Sequence, residues 1–453
     1  MAKNKSFYVC SNCEYETTGY FGKCPSCGNW GTLEEKTNIS SVDSNNKINI
    51  QNTSSKKLRD LDTQVDSRII TNIGELNRVL GKGIVKDSVT ILTAKPGAGK
   101  STLLLQLAED LALNNIKVFY ISGEESESQI KNRAIRLNIK SDNIWIMSSN
   151  SINEIENEIK KIDPDILIFD SIQTIVDDIL TQKSGSPTQI NEVSNRIVRL
   201  SKYSNKKRAS FIVGQMTKSD ELAGVRTLEH LVDCVLILET GSSDQIRTLY
   251  STKNRYGDTG EVGFFEMTEE GLISIDNPSE FFVSSSNEGF GKALSVLKHG
   301  SRFVLSEVES LVSKTFYPYP QRISESVNRD NLNIIASILE ETAGLRLEDK
   351  NIILKATGGA RINDVSSDLS IAMSIASSYF KMPIDNKVVF CGEIGLTGEI
   401  KKVQNIKSRI NEVSRLGYKK IIISSNQNTD NLDYNIEIIK IKDLKSLIQM
   451  FFN

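Results

Sequence analysis

Apolar side chains follow two periodicities along this chain, and from Ile69 onward the two alternate. The runs VTILTA (89–94), VFYIS (118–122), ILIFD (166–170), SFIVG (210–214) and CVLILE (234–239) are short, β-rich and suited to buried strands. The segments between them carry apolar residues at helical spacing. In TQINEVSNRIVRLSKY, Ile190, Val193, Ile197 and Leu200 recur every three or four positions. Arg196 and Arg199 fall off that stripe and are expected on a solvated face. This alternation predicts an α/β domain with a mainly parallel sheet covered by helices on both faces.

The pattern changes on either side of that domain. Residues 36–60 are rich in Asn, Ser and Lys with few large apolar side chains, a composition that cannot bury a core and predicts a linker. Pro278, in IDNPSEFF, marks an exit from the α/β domain, and a further module starts near Gly289. There SDLSIAMSIASSYF is expected to form a long amphipathic helix, followed by a strand, turn and strand in VVFCGEIGLTGEIKKV. The expected organisation is a four-cysteine module (1–33), a linker (34–62), an α/β domain (63–280) and an α+β module (289–453).

Length supports several modules, since 453 residues suggest roughly three domains. With 39% hydrophobic and 25% charged residues and no apolar run near the ~20 residues of a membrane span, a soluble, non-membrane protein is expected. The N-terminus has no apolar stretch of a secretory signal, so a cytoplasmic location is expected. A net charge of −2 argues against a uniformly basic nucleic-acid coat, although a ring can concentrate positive charge in its pore.

Four of the six cysteines form the pattern Cys10-x-x-Cys13, a ten-residue gap, then Cys24-x-x-Cys27. Two such knuckles can close a tetrahedral zinc site with no open position, which makes the metal structural. A redox dithiol or two disulfides are the alternatives. Cys234 and Cys391 lie in apolar surroundings and are expected to be buried small hydrophobes.

In VTILTAKPGAGKSTLLLQLA a strand, a glycine-containing loop and a helix follow one another, the context of a phosphate-binding loop. Ala94, Lys95, Pro96, Gly97, Ala98, Gly99, Lys100, Ser101 and Thr102 form the candidate ATP site. Gly97 and Gly99 let backbone N–H groups wrap phosphates, Lys100 neutralises the β- and γ-oxygens, and Ser101 holds Mg²⁺. Ala94 stands where the strict pattern has its first glycine, a tolerable change if the position needs no positive φ. Asp170 ends the run ILIFD, where an acid supports Mg²⁺ through its waters. Glu124 and Glu125 follow VFYIS; Glu124 is the preferred base for the attacking water, and capping of the next helix is its bland alternative.

Taken with these features, ISGEES, FDSIQT, TLEHLVDCVLILE and above all Lys253-Asn254-Arg255-Tyr256-Gly257 resemble the RadA (Sms) family of bacterial DNA-repair ATPases along nearly the whole chain. The resemblance implies a RecA-like ATPase core forming homo-hexameric rings on single-stranded and branched DNA, extending branches together with the recombinase RecA. It further implies that Lys253 and Arg255 reach a nucleotide or DNA from a neighbouring subunit; their own sequence suggests only an exposed basic turn. Gln215, where the family more often has His, is a candidate γ-phosphate sensor, and Lys218 and Arg226 are candidate DNA contacts. Tyr20 stands where the family usually has Trp, and Val225 where it usually has Pro.

The C-terminal module resembles the peptidase domain of Lon protease. Ser366 falls at the place of its nucleophile and Lys407 near that of its lysine, but NDVSSDL lacks the flanking glycines, so an inactive scaffold is expected. Lys401, Lys402 and Lys407 are candidates for a basic DNA-facing surface. An ATP-driven DNA motor is thus the leading reading. An ATP-dependent peptidase using Ser366 and a non-translocating scaffold acting through the cysteine module are the alternatives.

Overall fold

The computed structural model describes residues 6–13, 15–17, 19, 21–37, 57, 68–215, 228–241, 245–284, 289–317, 319–359, 361–429 and 435–452. The chain divides into two compact units, residues 1–64 and 65–453.

In the first unit β1 (Ser6–Cys10) pairs antiparallel with both β2 (Glu16–Thr17) and β3 (Leu33–Thr37). Its only buried cluster among the described residues is Cys10 and Cys24, with Tyr8 and Cys27 against them. A module this short has too little apolar surface to hold itself together, so the cysteines stand where a core would be.

The second unit contains two large sheets. After β4 (Arg68–Ile69), α1 (Gly74–Leu80) and β5 (Ile84–Val85), the first sheet is built from β6 (Val89–Ala94), β7 (Val118–Ser122), β8 (Ile144–Ser148), β9 (Ile166–Asp170), β10 (Ala209–Gln215), β11 (Cys234–Thr240), β12 (Ile246–Asn254), β13 (Val262–Thr268) and β14 (Gly271–Ser274). Their spatial order is β14-β13-β12-β11-β6-β10-β9-β7-β8. The six strands from β11 to β8 run parallel, as the apolar runs predict, and β12 to β14 add an antiparallel extension.

Because side chains alternate across a strand, the sheet has two apolar faces. Leu92, Tyr120, Ile168 and Val213 pack with α2 (Lys100–Leu113) and α3 (Glu127–Arg136). Ile91, Phe119, Leu167 and Ile212 pack with α4 (Ile152–Ile162) and α5 (Pro187–Lys202). The expected stripe Ile190, Val193, Ile197 is buried in this second layer. Arg199 is exposed as expected. Arg196 is not: it bonds Glu156 at 2.7 Å, Asp177 at 3.1 Å and the Asn153 side chain at 2.8 Å. Flanking an apolar stripe places a residue at the helix–helix seam, and here α4 supplies the acid that the α5 sequence cannot show.

The second sheet follows α6 (Ser279–Phe282). It contains β15 (Lys292–His299), β16 (Arg302–Lys314), β17 (Arg322–Ser324), β18 (Lys350–Ala356), β19 (Val388–Cys391), β22 (Lys420–Ser424) and β23 (Glu437–Ile441), in the order β17-β18-β16-β15-β19-β22-β23. Helices α7 (Arg329–Ala343), α8 (Asp368–Phe380), α9 (Ile406–Arg415) and α10 (Leu444–Phe452) pack on it. Strands β20 (Glu393–Ile394) and β21 (Ile400–Lys401) form the expected hairpin.

Helix α8 departs from the amphipathic expectation, since every residue from Asp368 to Ser378 is buried. Its serines satisfy themselves internally: Ser374 bonds Ser310, Ser377 accepts from the Gly291 N–H and Ser378 accepts from the Val312 N–H. The polar stripe read from sequence is thus a row of small hydroxyls facing strands, not water. Ile246, Val262, Phe264, Ile275 and Phe282 share one apolar cluster with Val304, Val308 and Leu332, so a single core spans the two sheets.

Candidate nucleotide site and metal centre

Ala94 is the last residue of β6, Lys95 to Gly99 form the loop, and α2 begins at Lys100, so Lys100, Ser101 and Thr102 occupy its first turn. Gly97 and Gly99 have φ of +80° and +105°, the left-handed region that lets successive N–H groups turn inward. A Cβ on Gly99 would also lie 2.5 Å from Met267 Cε. Ala94 is in a strand, and no positive φ is recorded there. A side chain at this first position is therefore compatible with the loop.

The cations and acids converge on this loop. Lys100 Nζ donates to the Ala94 carbonyl at 3.2 Å, and partial burial lowers its pKa against the opposing pull of Asp170 and Glu124. Ser101 Oγ donates to Asp170 Oδ2 at 2.7 Å. A hydroxyl and a carboxylate in contact at the start of a helix are the donor set Mg²⁺ uses beside nucleotide phosphates. Glu124 accepts a hydrogen bond from Ser171, which follows Asp170. Glu125 is instead held by both Arg133 guanidinium nitrogens at 2.8 and 2.6 Å. The helix after them is capped by Ser126 with Gln129, so Glu124 does not serve as its cap. The Gln215 backbone lies beside Ala94 in the sheet register, while its side chain, together with Tyr20, Lys218, Val225 and Arg226, falls outside the described residues.

Lys253 and Arg255 lie toward the opposite end of the strands from that loop. Asn254 pairs with Cys234, and Cys234 pairs with Thr90 at the start of β6, whereas the phosphate loop leaves its end at Ala94. Four strand residues separate these levels by roughly 13 Å. Lys253 donates to the Glu229 carbonyl, and partial desolvation followed by the Arg255 charge lowers its pKa. Arg255 donates to Asp233 at 3.1 Å with its side chain still 52% exposed. Asp233 is buried and also receives Lys202 at 2.6 Å and the Val89 N–H at 2.9 Å. Gly257 passes so close to α1 that a Cβ would meet Gly81 Cα at 2.8 Å, which explains the glycine after the aromatic residue.

Sequence reasoning missed two residues around the candidate nucleotide site and one at the basic turn. Tyr120 donates its hydroxyl to Asp170 Oδ2 at 2.6 Å. Arg247 is buried and its Nε donates to the Ala98 carbonyl at 3.0 Å. Asp233 organises the basic turn. A charged or hydroxyl-bearing residue inside an otherwise apolar strand was the available signal, because burial obliges such groups to find partners.

At the metal centre, the Cys10, Cys13, Cys24 and Cys27 sulfurs all lie within 4.8 Å of one another. The Cys10–Cys27 and Cys13–Cys24 pairs are each 3.7 Å apart. Thiolates about 2.3 Å from a tetrahedral zinc are about 3.8 Å from each other, whereas a disulfide requires about 2.05 Å. All four are free thiols, and the geometry fits zinc. Cys234 and Cys391 are buried, with burial raising both thiols to about 12, consistent with inert hydrophobes.

The candidate peptidase pair is not assembled. Ser366 is fully buried, and its hydroxyl accepts from Arg409 at 2.8 Å. Arg409 also bonds Asp364 at 2.8 Å, and Lys407 is exposed on α9. A guanidinium cannot act as the neutral amine that activates a serine. Lys401 and Lys402 are exposed, with Lys401 3.5 Å from Glu393.

A rubredoxin metal-binding domain family matches residues 8–35, an AAA domain family residues 54–213, and a family described as subunit ChlI of Mg-chelatase residues 323–427. DNA repair protein RadA of Streptococcus pyogenes serotype M1 is 39% identical, with 100% of both chains covered. RadA of Listeria monocytogenes is 39% identical over 94% of this chain and 93% of its own, and RadA of Bacillus subtilis 38% identical over 93% of each. The chain is an ATP-hydrolysing enzyme. Among the described residues no helix is long and apolar enough to cross a membrane. With matches at this identity over the full length, the chain belongs to the RadA family of DNA repair proteins.

Proposed function

We propose that this protein is a DNA-dependent ATPase that works as a homo-hexameric ring on single-stranded and branched DNA, promoting branch migration with RecA during recombinational repair in the cytoplasm. The relatives' name, DNA repair protein, supports the setting. The observation that carries the motor reading is the separation of Lys253 and Arg255 from the phosphate loop of their own chain. That separation from their own nucleotide supports the two cations reaching a nucleotide held by another copy, or the DNA, which would couple hydrolysis to subunit contacts. Lys100, Ser101 and Asp170 would hold Mg·ATP, Glu124 would orient the attacking water, and Gln215 would report the γ-phosphate to the segment bearing Lys218 and Arg226. In this reading residues 1–33 form the zinc module, 34–62 a linker, 63–280 the ATPase domain and 289–453 an inactive Lon-like domain.

Mixing two inactive variants tests the reading. Lys100→Ala lacks the phosphate cation but keeps Arg255, whereas Arg255→Ala keeps the phosphate loop. Each alone should lose single-stranded-DNA-stimulated ATP hydrolysis, and mixed rings should recover part of it. No recovery, or a wild-type rate indifferent to DNA, rejects the proposal.

A further inference from the structure

Arg247 is 6% exposed in an apolar setting: Ile246 and Leu249 are buried beside it on β12, and Phe265, opposite it on β13, is fully buried. Burying a guanidinium is costly unless its N–H groups are taken up. Its Nε donates to the Ala98 carbonyl at 3.0 Å, and Nη1 to the Ile246 carbonyl at 3.2 Å. A side chain of the antiparallel extension thus holds a carbonyl of the loop between β6 and α2, across 149 positions of sequence.

The rest of that extension presses on the same loop. A Cβ on Gly99 would meet Leu272 Cδ1 at 3.3 Å as well as Met267. Gln106 of α2 donates to the Leu272 carbonyl at 3.2 Å and accepts from the Leu272 N–H at 2.9 Å. The strands that carry Arg247 are therefore fixed against the helix that starts at Lys100, and a side chain locked by packing on a rigid element is suited to hold another group in place.

The Ala98–Gly99 peptide is trans, so its C=O and N–H point to opposite sides. With the carbonyl held by Arg247, the Gly99 N–H is turned away from β12, and it has no protein acceptor among the described residues. Gly97 and Gly99 sit at positive φ, where glycine is at ease, and the same freedom allows the peptide between Ala98 and Gly99 to rotate. A loop that presents N–H groups to phosphate needs a restraint at this point.

We propose that Arg247 is a positioning residue for ATP binding: through the Ala98 carbonyl it keeps the Gly99 N–H directed at the α- and β-phosphates. The inference rests on the reading of Ala94 to Thr102 as the ATP site. Since ATP and ADP share those phosphates, Arg247 governs affinity for both nucleotides rather than the chemical step.

Binding of N-methylanthraniloyl-ADP with Mg²⁺ to the full chain, together with steady-state ATP hydrolysis, tests this. Arg247→Met should weaken ADP binding roughly tenfold, raise KM for ATP by about the same factor and leave kcat within about threefold of wild type. Arg247→Lys keeps the charge but puts a carbon where Nε stands, so it should lose the same affinity, and it serves if Arg247→Met does not fold. Gln106→Ala loosens the extension from α2 without touching the Ala98 carbonyl and should bind ADP as wild type. The inference is overturned if Arg247→Lys binds ADP as tightly as wild type, if Gln106→Ala weakens ADP as much as the Arg247 variants do, or if kcat collapses while ADP affinity is unmoved. In each of those cases a loss of ADP binding in Lys100→Ala leaves the ATP-site reading standing. If the wild type and Lys100→Ala bind ADP equally, the ATP-site reading fails, and the inference with it.

Discussion

The Tyr120 hydroxyl donates to Asp170 Oδ2 at 2.6 Å, on the same oxygen that Ser101 bonds at 2.7 Å. Tyr120 and Asp170 sit on adjacent strands, and the α2 face of the sheet brings them together. Burial, then the Asp170 charge, raises the tyrosine far above its ordinary pKa, so it remains a donor at all physiological pH. Its effect is to orient the acid. Tyr120→Phe should lower ATP hydrolysis roughly tenfold and raise the Mg²⁺ concentration for half-maximal rate, because a hydrogen bond to a charged group contributes about 1.5–3 kcal/mol. A Mg²⁺ titration identical to wild type would show that Asp170 needs no such support.

The zinc module should depend on its metal alone. Since Cys10 and Cys24 are its only buried cluster among the described residues, chelation or Cys13→Ser should expose residues 6–37 to protease. The thermal transition of residues 65–453, a separate compact unit, should stay in place. Metal analysis should find one zinc per chain, and a module that resists protease without it would contradict this account.

Arg409 should be worth more to stability than Ser366. Burial acts to raise the Asp364 pKa, but the Arg409 guanidinium overrides it and holds the carboxyl below its usual range. Arg409→Met leaves that charge unpaired and should destabilise the chain by about 3–5 kcal/mol in denaturant unfolding. Ser366→Ala should leave ATP hydrolysis unchanged, and neither the wild type nor this variant should cleave casein. Cleavage that Ser366→Ala removes would restore the peptidase reading.

Asp368 should make stability fall as pH rises. Burial raises its carboxyl to about 6, with Glu393 and Asp364 adding repulsion against the Ile394 N–H and Asn331 bonds. A folded pKa above the unfolded value of about 3.9 means that its contribution is complete below about pH 4 and is lost as pH passes 6. Asp368→Asn imitates the protonated form. It should stabilise by roughly 2 kcal/mol at neutral pH and by nothing below about pH 4. Equal unfolding midpoints at neutral pH would rule out a charged Asp368 as a cost.

Much of the candidate nucleotide site was legible because it is local. The loop from Ala94 to Thr102 occupies one strand–turn–helix connection, and the four cysteines carry their spacing in the chain. Arg196 misled because its acids, Glu156 and Asp177, lie far away in sequence. Helix α8 misled because serine is polar by type yet small enough to bury when a strand supplies partners.

The order of residues therefore determined the strands, the strand–loop–helix of the candidate nucleotide site, the four-cysteine cluster and the family, all of which depend on short-range pattern or on motif identity. Only the tertiary structure decided that Lys253 and Arg255 stand at the opposite end of the strands from the loop after Ala94, since strand direction and register are settled by pairing across the sheet. It also decided that Ser366 faces Arg409 rather than Lys407 and that Tyr120 reaches Asp170. Each of these is a contact between residues distant in sequence, made when burial obliges a polar group to take the nearest complementary partner.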